Sequence, residues 1–218
     1  MQSTVPTVVF PVAGLGTRIL PATKTLPKEL LPLVDRPVIQ CGVEEAVASG
    51  IDRVVLVTSP NNTMTAAYFE ANPRLEDLLE KRGKTDALKA VRAVTTMAEV
   101  TTVHQADPLG LGHAVLMAKH AVNDTPFAVA LPDDVIDADP PALRQMRDLF
   151  DEFAGPVVLV ERVPREALGR YGVIDPIPIR DGVFRVRDLV EKPDPETAPS
   201  GLAVVGRYIL TPDVFEIL

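Results

Sequence analysis

The stretch AGLGTRILPATKTLPKELL, residues 13–31, follows directly on the apolar run TVVFPV, residues 7–12. Such a run, closed by glycine, reads as a buried strand. What leaves it is no ordinary connection, because two glycines, an arginine and two lysines crowd one irregular segment. Gly14 and Gly16 let a ligand approach the backbone and permit unusual dihedral angles. Backbone N–H groups freed in that way cradle phosphate oxygens. Arg18 offers a planar fork for a phosphate, and Lys24 and Lys28 offer mobile point charges. In open α/β sheets ligands bind beyond the C-terminal ends of the strands, which is where this strand delivers Ala13 to Arg18. Two familiar phosphate loops do not fit. A dinucleotide fingerprint needs a third glycine where Ile19 stands, and a Walker loop needs Gly-Lys-Ser/Thr where Gly16 is followed by Thr17 and Arg18.

The rest of the chain sets limits on this reading. At 218 residues, with 46% apolar and 24% charged residues, it can bury a sizeable core as one large domain or two small ones. The net charge of −8 argues against a nucleic-acid partner. Within residues 1–40, however, Arg18, Lys24, Lys28 and Arg36 outnumber Glu29 and Asp35. A locally basic segment in an acidic protein suits a small anion. Cys41 is alone, which leaves no disulfide framework and no thiolate metal cluster. The N-terminal MQSTVPT lacks a basic signal-peptide region, and no run approaches the ~18 apolar residues of a membrane span. A cytoplasmic protein with no membrane partner is expected.

Apolar runs alternate with helical patterns, as in an α/β fold with a Rossmann-like, mostly parallel mixed sheet flanked by helices. Strands are predicted at 7–12, 53–58, 100–104, 127–131 and 157–162. All but the third are nearly all apolar, as strands covered on both faces are. Helices are predicted between Pro37 and Gly50, where Ile39, Val43, Ala46 and Val47 share a face, and over 112–122 and 141–154. Residues 72–91 read as an exposed helical excursion. From about residue 165 the pattern becomes β-rich with Pro and Gly turns, an extension of the same domain. The final TPDVFEIL has a good helix start in Thr211 and Pro212, and a further C-terminal portion is expected beyond it. The domain reading is a single domain over 1–218, with a nucleotide-binding part over about 1–135 and a sugar-phosphate-binding part over about 136–218.

The segment VFPVAGLGTRILPATKTLPKELLPLVDRPVIQ, residues 9–40, resembles the signature of bacterial sugar-nucleotide pyrophosphorylases. PLGLGHAVLMAKHAV (108–122), ALPDDVI (130–136), RYGVID (170–175), LVEKPDP (189–195) and LAVVGRYIL (202–210) follow in that family's order and spacing. The excursion FEANPRLEDLLEKRGK (69–84) is similar to the UTP–glucose-1-phosphate uridylyltransferase branch. The resemblance implies the nucleotide-diphospho-sugar transferase fold with a β-rich sugar-binding extension. It also implies a homo-oligomer whose substrates are UTP and glucose 1-phosphate, with Mg²⁺ as cofactor. The implied reaction is attack of glucose 1-phosphate on the α-phosphorus of UTP, giving UDP-glucose and pyrophosphate. Two anions must be brought together for this. One pair of unit charges at ~4 Å costs about 4 kcal/mol at an effective dielectric of 20, so cations at the phosphorus are a chemical necessity.

By that resemblance the backbone of Ala13, Gly14 and Gly16 packs against the nucleotide, Arg18 and Lys28 face the triphosphate, and Glu29 contacts the nucleotide beside them. Lys24 is as readily a solvated cation. Gln105 and the turn at Gly110 correspond to the base-reading segment, since an amide satisfies both donor and acceptor on a uracil edge. His113 is given no catalytic role. Asp133 corresponds to the metal ligand and Asp134 to its support. Two carboxylates at a strand end suit Mg²⁺, which takes one or two of them plus phosphates and water. Glu191 would accept from glucose hydroxyls and Lys192 would meet the sugar phosphate. Tyr171, Gly172 and Val204 would line that pocket. Strand alternation sends neighbours to opposite faces, so Glu191 and Lys192 share a ligand only if Pro193 or a bend redirects the chain. Three other readings remain open: a thymidylyltransferase using dTTP, against which the long excursion counts; a non-catalytic nucleotide-sugar sensor, against which Lys28, Asp133 and Lys192 count; and a plain α/β interaction domain, which leaves the clustered motifs unexplained.

Overall fold

The computed structural model describes residues 4–218; the first three residues of MQSTVPT lie outside them. The described residues group into two compact units. The first runs up to Val157 and resumes at Tyr208–Leu218, and the second is Val158–Arg207. The expected change at about residue 136 therefore falls inside the first unit.

The first unit opens with β1 (Thr7–Pro11), a small hairpin of β2 (Pro32–Leu33) and β3 (Arg36–Pro37), helix α1 (Val38–Ala48) and β4 (Arg53–Thr58). It continues through α2 (Met64–Phe69), α3 (Pro73–Lys81), α4 (Thr85–Thr96), β5 (Glu99–His104), α5 (Leu111–Met117), β6 (Phe127–Ala130) and α6 (Ala142–Phe153). The strands pair in the order β5-β4-β1-β6, all parallel. Parallel pairing sets the C-terminal ends of all four on one edge. The loops beginning at Val12, Ser59, Gln105 and Leu131 leave there, and most of the residues singled out above lie on those loops.

Alternation along β1 decides which helix covers which face. Val9 joins the cluster of Val55, Val57, Phe127 and Val129 beneath Ala114, Val115 and Ala118. Phe215 closes that cluster with its ring stacked on Phe127, centroids 5.3 Å apart. Phe10 points the other way, toward α1. A Cβ on Gly42 would lie 2.8 Å from the Phe10 ring, so this glycine lets the helix approach the sheet. Ile39, Val43 and Ala46 of α1 and Leu143 and Met146 of α6 are buried. Helices thus cover both faces of a parallel sheet, which is why β1, β4 and β6 carry unbroken apolar runs.

The second unit holds most of β7 (Val157–Arg162), then β8 (Gly172–Arg180), β9 (Val183–Glu191) and the first part of β10 (Leu202–Leu210). Here β8 pairs antiparallel with both β9 and β10, and β7 pairs with β10 alone. This is the mixed, mostly parallel α/β architecture expected, with its β-rich extension.

Two expectations are corrected, at β7 and at the end of α5, while the exposed helical excursion is borne out and given its detail. Strand β7 pairs with β10 off the main strand path and is half-buried to exposed along its length; its apolar run does not signify cover on both faces. The excursion is two helices, broken at Gly83 with φ +64° and capped by Asn72, whose side chain accepts from Leu75 N at 3.1 Å. Helix α5 stops at Met117 rather than 122, and Asn123 and Asp124, both with positive φ, complete the turn beyond it. The terminal TPDVFEIL forms a 3₁₀ turn over Pro212–Glu216. No helix among the described residues is long and apolar enough to cross a membrane.

Candidate active site

Beyond β1 the chain makes three short 3₁₀ turns, at Thr17–Ile19, Ala22–Lys24 and Lys28–Leu30. Their placement depends on Gly16, whose φ of 61° lies in the left-handed region, where a side chain is strained. Space is also restricted there: a Cβ would stand 3.0 Å from the Thr23 methyl. The Thr23 hydroxyl donates to the Gly16 carbonyl at 2.7 Å and so ties the second turn to the first. Thr23 was not singled out from the sequence. A hydroxyl two residues after a proline carries no signal of its own until the loop closes on it.

The loop folds back so that Gly16, Thr17, Arg18, Ile19, Lys28 and Asp133 line one cleft of about 290 Å³. Lys28 Nζ stands 2.8 Å from Asp133 Oδ2, with 22% and 56% of the two side chains exposed. Gly14 lies against the Lys28 stem, since a Cβ there would be 3.9 Å from its Cε. Arg18 is exposed and pairs with no carboxylate among the described residues. The cleft therefore presents one unpaired guanidinium, one lysine held by an aspartate, and a backbone kept bare by glycine. That combination suits a polyanion and a hard cation. Lys24 does not line this cleft. Asp134 is exposed and adjoins Asp133.

Glu29 is placed differently from its neighbour. It is 1% exposed, and its Oε1 accepts from Thr65 Oγ1 at 2.8 Å and from Asn62 Nδ2 at 3.1 Å. Burial pushes its carboxyl above the ordinary range, against the opposing pull of its hydrogen bonds and of Lys28. Its Oε2 is buried and has no hydrogen-bond partner. The expected direct contact between Glu29 and a nucleotide does not fit this geometry, because the carboxylate is turned into the protein. Asn62 and Thr65 are polar partners that the sequence did not reveal.

Gln105 follows β5 and is 4% exposed. Its Nε2 donates to the Gly110 carbonyl at 3.2 Å and meets His113 Nδ1 at 2.9 Å. The structure thus joins Gln105 to the turn with which it was paired in sequence, and makes His113 a hydrogen-bonding neighbour.

In the second unit, Tyr171, Gly172, Glu191 and Lys192 come together at paired strand ends. Gly172 stands opposite Glu191 in the β8–β9 register, and a Cβ on it would be 3.2 Å from Glu191 Oε2 and 3.8 Å from Val204 Cγ2. The Lys192 N–H donates to the Tyr171 carbonyl at 2.9 Å. Lys192 has φ +48°, and its Nζ lies 3.0 Å from Glu191 Oε1. The bend needed to bring these neighbours to one side therefore occurs at Lys192 itself, one residue before Pro193.

No group of three or more His, Cys, Asp or Glu suited to a metal occurs among the described residues. A cation held by one or two carboxylates and completed by phosphate and water needs no such group; the exposed Asp133 carboxylate lines the cleft. A larger cavity of about 580 Å³ lies beside Arg36, Gln40, Glu44, Tyr68 and Val91. Several of its polar groups are already engaged: Arg36 with Asp35 and Glu44, and the Tyr68 hydroxyl with Gln40.

A family model described as "Nucleotidyl transferase" matches residues 9–218. The chain is 44% identical over 210 residues to a UTP–glucose-1-phosphate uridylyltransferase of Bacillus subtilis, covering 96% of this chain and 72% of that protein. Among solved structures it is similar to a UDP-glucose pyrophosphorylase complexed with UDP-glucose, at TM-score 0.87 and 42% identity over 98% of this chain and 78% of that one. It is also similar to a UTP-bound enzyme of the same kind from Acinetobacter baumannii, at TM-score 0.93 and 40% identity over 98% and 77% of the two chains.

Proposed function

Since the chain belongs to the nucleotidyl transferase family, we propose that it transfers a uridylyl group from UTP to α-D-glucose 1-phosphate, releasing pyrophosphate. The observation that carries this reading is the meeting of Lys28 and Asp133, 105 residues apart in the chain, at 2.8 Å in the glycine-walled cleft. The substrates are those in the names of the similar uridylyltransferases and of their UTP and UDP-glucose complexes.

Phosphoryl chemistry leaves the protein little covalent work, so positioning and charge neutralisation dominate. Ala13, Gly14 and Gly16 give the nucleotide a bare backbone to lie on. Gln105 and Gly110 present the amide turn to the uracil. Arg18 forks onto the triphosphate. Lys28 leaves Asp133 and follows the charge that builds on the α-phosphate oxygens and the departing pyrophosphate. Asp133, with Asp134 beside it, would hold a divalent cation, which we take to be Mg²⁺ and which would supply charge neutralisation between the two anions. Glu191 accepts from the glucose hydroxyls, Lys192 meets the sugar phosphate, and Tyr171, Gly172 and Val204 shape the sugar pocket. The enzyme is read as cytoplasmic and homo-oligomeric. In support of association, β9 ends its strand order with Val186 and Leu189 at 40% and 45% exposure, more apolar than a solvated edge favours.

The test offers UTP and dTTP, each with glucose and galactose 1-phosphates, and follows pyrophosphate release with and without Mg²⁺. Turnover is expected with UTP and glucose 1-phosphate, and excess chelator is expected to abolish it. Equal rates with chelator would reject the cation, and preference for dTTP would move the chain to the thymidylyltransferases.

A further inference from the structure

Lys28 and Glu29 are consecutive in one three-residue 3₁₀ turn, yet they face opposite ways. Lys28 lines the cleft, while Glu29 is buried on Asn62 and Thr65. These two partners belong to the loop after β4 and the start of α2. Asn62 is itself fixed: its N–H donates to the Ser59 carbonyl at 3.0 Å, and its carbonyl accepts from Thr58 Oγ1 at 3.0 Å. Thr58 ends β4, and its own carbonyl accepts the Gln105 N–H at 2.8 Å. One run of bonds thus joins the start of the base-reading segment to the lysine turn, through Thr58, Asn62 and Glu29.

Stability alone is a poor reason for this acid. A buried carboxyl is costly, and Glu29 leaves one oxygen unpartnered where an apolar side chain of similar volume would carry no such cost. What the carboxylate adds is direction. Two hydrogen bonds to a rigid neighbour define the turn from which Lys28 projects, and in phosphoryl transfer a misplacement of ~1 Å costs on the order of 10²-fold.

We infer that Glu29 is a positioning residue for Lys28, and that Asn62 and Thr65 are the fixed points it holds. The inference rests on the reading of Lys28 as the triphosphate ligand. It is tested by steady-state kinetics and thermal melting of the full chain, of Glu29→Ala, Glu29→Gln and Lys28→Ala, and of the double variant. Glu29→Ala is expected to lower kcat about tenfold or more while leaving KM for glucose 1-phosphate unchanged. Glu29→Gln keeps an acceptor for both donors and is expected to recover most of that loss. In the Lys28→Ala background the Glu29→Ala change is expected to add less than about twofold, because a residue that acts through another has nothing left to act on. Equal fold losses in both backgrounds, or an unchanged kcat, would overturn the inference. If Glu29→Ala does not fold, Thr65→Val replaces it, with the same expected non-additivity. A second readout separates this inference from the proposed function: labelling of Lys28 by trinitrobenzenesulfonate, followed by peptide mass spectrometry. Glu29→Ala is expected to change that rate at least about twofold and Glu29→Gln to restore it, whether or not the chain makes UDP-glucose. An unchanged rate would refute the positioning role, whereas a parent chain inactive toward UTP with the labelling change intact would refute only the proposed reaction.

Discussion

Two lysine–carboxylate pairs mark the two units, and they differ in origin. Lys28 and Asp133 approach to 2.8 Å across 105 residues of chain, with the lysine mostly covered. Lys192 and Glu191 approach to 3.0 Å as sequence neighbours, with 62% and 66% of their side chains exposed. The first pair exists because β1 and β6 are parallel neighbours whose C-terminal ends share an edge. The second exists because one residue takes a left-handed conformation before a proline. A local pair is available to almost any strand end, whereas a long-range pair in a cleft records the fold. Half-covered, it also acts in a lower dielectric, where each charge has more effect than at the surface.

The largest effect expected from this contrast is that of Lys28→Ala. Turnover should fall about 10²–10³-fold, as when one transition-state donor is removed, while the melting temperature barely moves; a collapse of the melt with proportionate loss of activity would make Lys28 structural. Asp133→Asn comes next. It should weaken cation-dependent turnover by on the order of 10-fold or more, with the fold unchanged in circular dichroism, and titration with Mg²⁺ should show the requirement shifted to higher concentration. Lys192→Ala tests the exposed pair. Its effect should appear mainly in KM for glucose 1-phosphate rather than in kcat, and a kcat loss equal to that of Lys28→Ala would erase the distinction between the pairs.

A smaller effect concerns the buried acid beside Lys28. Burial raises the Glu29 carboxyl above the ordinary carboxylate range, so the folded state holds that proton more tightly than the unfolded chain does. The contribution of this group is then fully present below its ordinary unfolded value and is lost as the pH rises through the higher folded value. Glu29→Gln lacks this titration. Its melting temperature should therefore gain on that of the parent as the pH is raised from acid to neutral, and parallel melting curves across that range would contradict the assignment. The smallest effect expected is that of Arg92→Ala, which breaks a 2.8 Å ion pair with Glu76 between the excursion helices. Exposed pairs of this kind contribute little, and turnover should be unaltered.

The parts legible in the sequence are those with a local physical cause. The continuous apolar runs of β1, β4 and β6 announced strands covered on both faces, and of the predicted α1 face Ile39, Val43 and Ala46 are buried while Val47 is exposed. Gly16 announced a turn that only glycine makes easily. Asn72 and Gly83 capped and broke the excursion, yet their signals were lost within one long charged pattern. Strand β7 misled because Val157 to Val160 look the same whether one neighbour or two will cover them. Glu29 misled for a related reason. In sequence it is an acid beside a lysine in a phosphate-binding segment; only the loop after β4 shows that it faces inward.

The sequence by itself determined the alternation of strands and helices, the glycine-bared loop after the first strand, the aspartates at the end of β6 and, through matching motifs, the family. These are properties of composition, periodicity and backbone freedom over a few residues. Packing alone decided that Lys28 meets Asp133, that Thr23 closes on Gly16, that Glu29 turns away to Asn62 and Thr65, and that the bend lies at Lys192. The first and third are contacts between segments that converge when parallel strands align their ends, and such convergence leaves no mark on any one of the segments; the second forms when a single loop closes on itself. The bend at Lys192 is set by the β8–β9 pairing and the Tyr171 carbonyl, which fix a left-handed conformation that lysine does not choose unaided.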